Sequence, residues 1–552
     1  MTETVLAGEG GDASRHEAVS ERGLGAVFTR RWIVDLILDL AGYTADRDLA
    51  SLVALEPSCG HGAFVAAMVD RLVASCRARD LDVDGAGSAI AAFDIDPLAV
   101  RATRAVVTRQ LVGYGVTRNT ATRLAAEWVR QADFLDMPAT ADSADVVVGN
   151  PPYVRLEDVP PDRMDRYREA WPTMTGRADV YVGFYEAALR RLRPDGVLAF
   201  ICSDRWMRNQ YGQRLRELVE RSFAVDATVV MHDVDAFDRR VAAYPAVTVL
   251  RRGAQREALV VEADGGFGGD DAAQLVRAIR QPGRPLRRLN SATASWSSGW
   301  FRNNGSWPIG APERLALLAD LERRFAPLDA EGAARVGIGV ASGADDVYVT
   351  AEPDVVEPDR LLPLMLPRDT TEGHAAWSGH YLVNPWDDEG ELVDLREFPR
   401  LRRYLRRHEH VLRGRHVARG RDASWWRTID KVTPGLAQRP KLLIPDLKSR
   451  VHPVLDEGGH YPHHNLFYVT SDVWDLRVLG GLLLSEFGQL FVEAYSVRMA
   501  NGCLRVTAQY LRRVRVPDPA SIRRPTARRL AGAFDARDVE AATAAAAEVY
   551  GV

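Results

Sequence analysis

Apolar and polar positions change in blocks along residues 24–260, and each block has the length of one strand or one helix. Val27 to Leu40 carries Ile33, Leu36, Ile37 and Leu40 at helical spacing and predicts an amphipathic helix. Leu52 to Leu55 predicts a short buried strand, followed by a Gly-containing turn and a helix from about Ala63. Ala89 to Phe93 predicts a second strand, ending at acids, and Val146 to Val148 another. A helix from Tyr181 to Leu192, a strand from Gly196 to Ile201, and strands at Ala227 to Val230 and Ala246 to Leu250 close the series. Strands that alternate with helices imply a parallel-rich sheet with helices on both faces. In such sheets ligands gather at the carboxyl ends of the strands.

The pattern then changes. Residues 261–310 are turn-rich, with Gly-Gly-Phe-Gly-Gly, Pro282 and Pro285, and read as a linker. Residues 311–520 give mixed signals suited to an α+β domain, and residues 521–552 read as a helical tail. Residues 1–23 are acidic and Gly-rich, lack the apolar core of a secretory signal, and read as a disordered tail before a catalytic domain over 24–260.

At 552 residues, 46% of them hydrophobic, more than one soluble domain is expected. No stretch approaches the ~20 uncharged apolar residues of a membrane span. Cys59, Cys76, Cys202 and Cys503 lack metal-ligand spacing, so no metal is expected and a reducing cytoplasm is. The net charge is only −4, but basic residues crowd Arg402 to Arg450. Such a patch is the footprint of a phosphate backbone, and Arg413, Arg415, Arg419, Arg427, Lys431 and Lys441 are its candidate contacts. Arginine greatly outnumbers lysine there, so part of the richness reflects GC-rich codon usage.

The candidate chemistry sits at the strand ends. The run Asp145-Val-Val-Val-Gly149 leads into Asn150-Pro151-Pro152-Tyr153. The prolines end the ladder and stiffen the turn, which presents one carboxamide, bare carbonyls and one ring. The Asn150 side-chain oxygen and the Pro151 carbonyl can each accept one N–H of an exocyclic amine, while Tyr153 stacks on the ring that bears it. Two acceptors pull such a nitrogen toward tetrahedral geometry, with its lone pair directed at an electrophile. Earlier, Leu55-Glu-Pro-Ser-Cys-Gly-His-Gly-Ala-Phe64 sets Glu56, Ser58, Gly60 and Gly62 around a turn. The third glycine of a dinucleotide loop is replaced by Val65, and a carboxylate flanks the turn, which suits a cation such as S-adenosylmethionine better than a diphosphate. Phe93-Asp94-Ile95-Asp96 offers Asp94 to ribose hydroxyls and Ile95 to an adenine; Ala132-Asp133-Phe134 offers a second acceptor and a ring wall.

Together these motifs resemble the γ-class (TaqI-like) N6-adenine DNA methyltransferases, over roughly residues 24–517. In that family a Phe-Thr-Pro segment precedes the first strand; here Phe28-Thr29-Arg30 matches it except that Arg30 replaces proline, so Thr29 joins the cofactor-binding candidates. Asp179-Val-Tyr-Val-Gly-Phe184 resembles the segment after the catalytic turn, and Asp233-Val-Asp-Ala-Phe237 the one whose aromatic stacks on a flipped base, a role carried to Phe237. Val336 to Gly343, Arg439 to Pro445 and Asn465 to Tyr468 resemble parts of the family's target-recognition region.

The resemblance implies an α/β, Rossmann-like S-adenosylmethionine-dependent methyltransferase domain and a C-terminal α+β target-recognition domain. It implies transfer of a methyl group to N6 of a flipped-out adenine in double-stranded DNA, as the modification enzyme of a restriction–modification system, with a cognate restriction endonuclease as functional partner. A monomer in the cytoplasm, associated with the nucleoid and not with a membrane, is expected. RNA adenine or protein glutamine as substrate, and a catalytically degenerate DNA-binding module, are the competing readings.

Overall fold

The computed structural model describes residues 28–138, 143–238, 244–279, 289–297, 305–419, 424–498 and 504–552, so the expected tail over 1–23, and Cys503, lie outside the described residues. The chain divides into two compact units after Leu315.

The first unit is built on one nine-stranded sheet. Its strands are β1 (Ala54–Glu56), β2 (Ile90–Asp94), β3 (Val129–Gln131), β4 (Ala144–Gly149), β5 (Leu192–Ser203), β6 (Phe223–Val230), β7 (Pro245–Arg252), β8 (Ala258–Ala263) and β9 (Ala292–Ser297). They lie in the order β3-β2-β1-β4-β5-β7-β6-β8-β9. From β3 to β5 every pairing is parallel. Beyond β5 the sheet becomes mixed, because β7 runs antiparallel between β5 and β6. The chain builds outward from β1 through β2 and β3, then crosses back to place β4 on β1's other side. That reversal makes β1 and β4 the switch-point strands, whose carboxyl ends border the crevice of an open α/β sheet.

Both faces are buried, as alternation along the central strands requires. In β4, Val146 and Val148 join one core and Val147 the other; in β5, Ala199 and Ile201 oppose Leu198, Phe200 and Cys202. The first core is closed by α1 (Arg31–Leu40), α2 (Ala63–Ala78), α3 (Pro97–Gly113) and α4 (Arg118–Trp128). The second is closed by α5 (Pro161–Ala170) and α6 (Val180–Leu189), which is buried on every side. Helix α1 starts at Arg31, later than its apolar pattern suggests, because Arg30 is extended (φ −61°, ψ 145°) and Thr29 is bridged to Phe237.

Two expectations are corrected. Residues 261–310 are no linker: β9 pairs along the whole of β8, from Ala258↔Ser297 to Ala263↔Ala292, and the helix Gly269–Ile279 packs Ala272 and Leu275 into the first core. The Gly-Gly-Phe-Gly-Gly run over 265–269 leads straight into that helix, while Pro282 and Pro285 lie outside the described residues. The helical segment over 521–552 is likewise part of a folded unit and not a separate tail. The helices Arg524–Asp535 and Val539–Tyr550 belong to the second unit, and Phe534 lies so close to Gly480 that a Cβ there would sit 2.6 Å from its ring.

The second unit carries a four-stranded antiparallel sheet in the order Arg335–Ile338, Leu466–Thr470, Lys441–Pro445, Val454–Asp456. A second four-stranded sheet and the helices Leu476–Leu484 and Glu486–Tyr495 complete an α+β unit.

Candidate functional site

A cavity of about 200 Å³ opens at the ends of β1, β2 and β4. Its walls include Thr29, Glu56, Ser58, Gly60, Asp94, Ile95, Asp133, Phe134, Asn150 and Pro152, so the structure gathers most of the predicted site residues. The backbone explains how. After β1 the chain turns through Gly60 (φ +48°) and Gly62 (φ +88°), left-handed conformations that glycine tolerates best. At Gly62 an added Cβ would also meet Thr103 at 3.0 Å. The turn is pinned to β2: Cys59 N–H donates to the Phe93 carbonyl (2.8 Å), and Gly60 N–H to Asp94 Oδ2 (2.8 Å). Thr103 Oγ1 donates to the Gly60 carbonyl from α3 (2.7 Å).

Glu56 is 2% exposed, and its Oε2 has no hydrogen-bond partner among the described residues. Burial, with the charge of Asp94 behind it, pushes this carboxyl well above the ordinary range. Asp94 is also raised, by burial first, although its oxygens accept backbone N–H groups from Gly60 and Asp96 (2.8 and 2.9 Å). The Asp94 carboxylate still has acceptor capacity left for a ligand. Asp133 accepts from Leu135 N–H (3.1 Å) and from the Tyr167 hydroxyl (2.6 Å). The Phe134 ring stacks on Phe184 (centroids 5.7 Å apart, 24°), with the Arg191 guanidinium 4.4 Å from its centroid.

At the end of β4, Asn150 Nδ2 donates to Thr29 Oγ1 (3.2 Å) and Ser58 Oγ donates to the Asn150 carbonyl (3.2 Å). The carboxamide is thus oriented by the segment before α1 and the backbone by the turn after β1. Pro151 is buried; Tyr153 is half-buried and meets Phe237 edge to face (6.3 Å, 80°). Phe237 is 5% exposed, and neither ring lines the cavity. Cys59 is buried and its thiol is pushed up by burial, which suits packing and not nucleophilic attack.

The motifs did not reveal the contribution of α5. Arg163 and Tyr167 reach the cavity from it, one helical turn apart. Pro160-Pro161 at a helix start, followed by a basic and an aromatic residue at i, i+4, is the signal that could have found them.

The basic candidates of the second unit separate by burial. Lys441 is fully buried and pairs with Asp456 Oδ2 (2.8 Å), which corrects its reading as a surface contact: it opens a strand whose five residues are all buried. Arg415 is turned inward as well, donating to the Ser342, Trp425 and Arg427 carbonyls. Arg419 is exposed. Arg413 lies on the surface, over Trp425 and paired with Glu409. Arg427 and Lys431 both lie against Trp386 (5.6 and 5.4 Å). In the same unit Asp345, His463 and His464 bring donor atoms within 4.8 Å of one another. Hydrogen bonds join two of the three, since Asp345 accepts from Ser342 and pairs with His463 Nε2 (3.1 Å), and the His464 ring packs on that of His463 (centroids 4.1 Å apart).

Residues 89–237, which span β2 to Phe237, match the Eco57I restriction-modification methylase family. The whole chain is similar to the type II methyltransferase M.PaeR7I of Pseudomonas aeruginosa, 44% identical over 99% of this chain and 94% of that protein. It is likewise 41% identical to the type II methyltransferase M.XhoI of Xanthomonas vasicola, over 96% and 97% of the two chains. In fold it matches the type IIL restriction-modification enzyme MmeI, solved in complex with DNA, with a TM-score of 0.56 at 11% identity over 98% of this chain and 75% of that one. These full-length relatives place the chain among the methyltransferases of the restriction–modification class. Within that class, the chain belongs to the type II methyltransferases.

Proposed function

We propose that this chain methylates N6 of a specific adenine in double-stranded DNA, with S-adenosylmethionine as cofactor. When bound, S-adenosylmethionine supplies an electrophilic methyl group on a sulfonium. The cavity fits it: the unpartnered Oε2 of Glu56 offers a buried acceptor to the ammonium, and Asp94 retains acceptor capacity for ribose hydroxyls. Asp133 accepts from the adenine amine between Ile95 and Phe134, with Thr29, Ser58 and Gly60 shaping the near wall and Gly62 allowing the turn behind it.

The target adenine is unreachable inside a duplex and must be swung out, which costs about a few kcal/mol. Stacking on Tyr153 and Phe237 offsets that. The two rings already meet edge to face at this end of the site. Asn150 Oδ1 and the Pro151 carbonyl accept the two amine hydrogens and Pro152 stiffens the turn, so that the nitrogen lone pair is free to take the methyl group as its bond to sulfur breaks, one amine proton then passing to water. No side chain forms a covalent bond.

The observation that carries this reading is the Asn150–Thr29 hydrogen bond, which fixes the carboxamide of the turn against a residue of the cavity wall. The second unit is the target-recognition domain, with Arg413, Arg419, Arg427 and Lys431 as contacts to phosphates or guanines. The enzyme acts as a monomer in the cytoplasm, with a cognate restriction endonuclease as functional partner.

Single-molecule sequencing of a methylation-deficient host expressing the chain tests this. N6-methyladenine in one short motif, erased by Asn150→Ala with DNA affinity within about threefold of wild type, is the expected result. Undiminished methylation by Asn150→Ala would remove Asn150 from catalysis.

A further inference from the structure

Arg30 stands between two halves of the proposed site. On its N-terminal side Thr29 holds Asn150 and lines the cavity. On its C-terminal side begins α1, whose Ile33, Val34 and Ile37 are fully buried, so the position is anchored in the core. Across from it runs the segment Asp235–Asp238, which carries Phe237 to the edge of Tyr153.

Four hydrogen bonds join the two segments. The Arg30 backbone N–H donates to the Ala236 carbonyl (3.1 Å) and the Asp238 N–H donates to the Phe28 carbonyl (3.0 Å), closing an antiparallel bridge at Thr29 and Phe237. The Arg30 side chain adds Nε to the Phe237 carbonyl (3.3 Å) and a terminal nitrogen to Asp235 Oδ2 (2.5 Å). The ion pair is exposed, 40% and 75% for its two side chains, and an exposed pair contributes little in water. The bonds to main-chain carbonyls therefore hold the segment, and the charge pair only directs the guanidinium.

We infer that Arg30 is a positioning residue that ties the base-holding segment Asp235–Asp238 to the cofactor-side segment Phe28–Thr29, so that the stacking ring and the catalytic carboxamide move as one. This rests on the methyltransferase reading above. Proline, which the resembling family carries here, has no N–H for Ala236 and no side chain for Phe237 or Asp235. Yet the conformation of Arg30 (φ −61°, ψ 145°) suits proline, and the bridge keeps Thr29 in the extended region that a following proline demands. Arg30→Pro thus removes three of the four bonds without forcing the backbone. Arg30→Ala removes the two side-chain bonds alone, and Asp235→Ala removes the ion pair.

The experiment places 2-aminopurine at the target position of a cognate duplex and follows its fluorescence on binding, with kcat and cofactor affinity measured on the same full-length variants. Arg30→Pro should lower kcat and the fluorescence gain by roughly tenfold, and Arg30→Ala by about threefold, with cofactor affinity changed less than about twofold. Asp235→Ala should have a smaller effect that vanishes at high salt. An Arg30→Pro enzyme with wild-type fluorescence and kcat would overturn the inference. So would a parallel loss of cofactor affinity, which marks general damage to the fold. If Arg30→Pro fails to fold, Arg30→Ala decides by the same readings. A wild-type enzyme that neither methylates nor brightens 2-aminopurine would instead overturn the proposed function.

Discussion

A carboxyl group buried without a donor for one of its oxygens is unfavourable when charged, and Glu56 is held in that condition. Its folded value lies above the ordinary 4.5, so the free protein is most stable below that value and loses this contribution as the pH rises through the folded one. A cationic ligand reverses the balance, because an ammonium beside Glu56 favours the ionised form. Binding S-adenosylmethionine should therefore release a proton across the window between the ordinary and raised values, and affinity should rise with pH over it. Calorimetry in buffers of different ionisation enthalpy would record the release, and Glu56→Gln should abolish it. Binding with no proton release would mean that another group meets the ammonium. Glu56 and Asn150 were legible in the sequence because each follows an apolar run at a strand end. Tyr167 was not: its partner Asp133 lies 34 residues away, and nothing local marks the pair.

Among elements, β1, β2 and β4 to β7 were readable because their apolar runs are uninterrupted, whereas β3, Val-Arg-Gln, has a single apolar residue and was not. The β8–β9 pair was hidden by glycines and prolines between short strands, and its register rests on backbone bonds that leave no mark in composition. Lys441 shows the opposite error. A lysine in a basic stretch reads as surface, yet antiparallel register sets it opposite Asp456, which also binds His460 Nδ1 (2.9 Å). Burial lowers the lysine, and Asp456 in turn is held below the usual carboxylate range by His460 and Lys441 against its own burial. Removing one partner of a buried pair strands the other. Lys441→Ala should cost about 3 kcal/mol of stability, seen as a lower denaturant midpoint. The double variant Lys441→Met, Asp456→Leu should recover most of it. A neutral single variant would show that His460 alone satisfies Asp456.

For the whole molecule, a net charge of −4 conceals a local excess of basic residues, and their burial and partners together sort them better than sequence does. Arg413, Arg419, Arg427 and Lys431 remain the candidate contacts; Lys441 and Arg415 serve the fold. If the four meet phosphates, replacing each by alanine should reduce the slope of log affinity against log salt by about 0.9. An unchanged slope for all four would move the DNA surface elsewhere. The two units were legible as a break in pattern, although the break falls later than composition suggests, because strands lie beneath the turn-rich stretch. The turns that carry Glu56 and Asn150 leave neighbouring parallel strands, locked at Ala54↔Val146 and Leu55↔Val147. Such a ladder is made of main-chain groups, indifferent to the side chains hung upon it. The span between the two strand ends is therefore inherited with the topology, and a lineage can rewrite nearly every residue of the sheet while Glu56 and Asn150 keep their spacing.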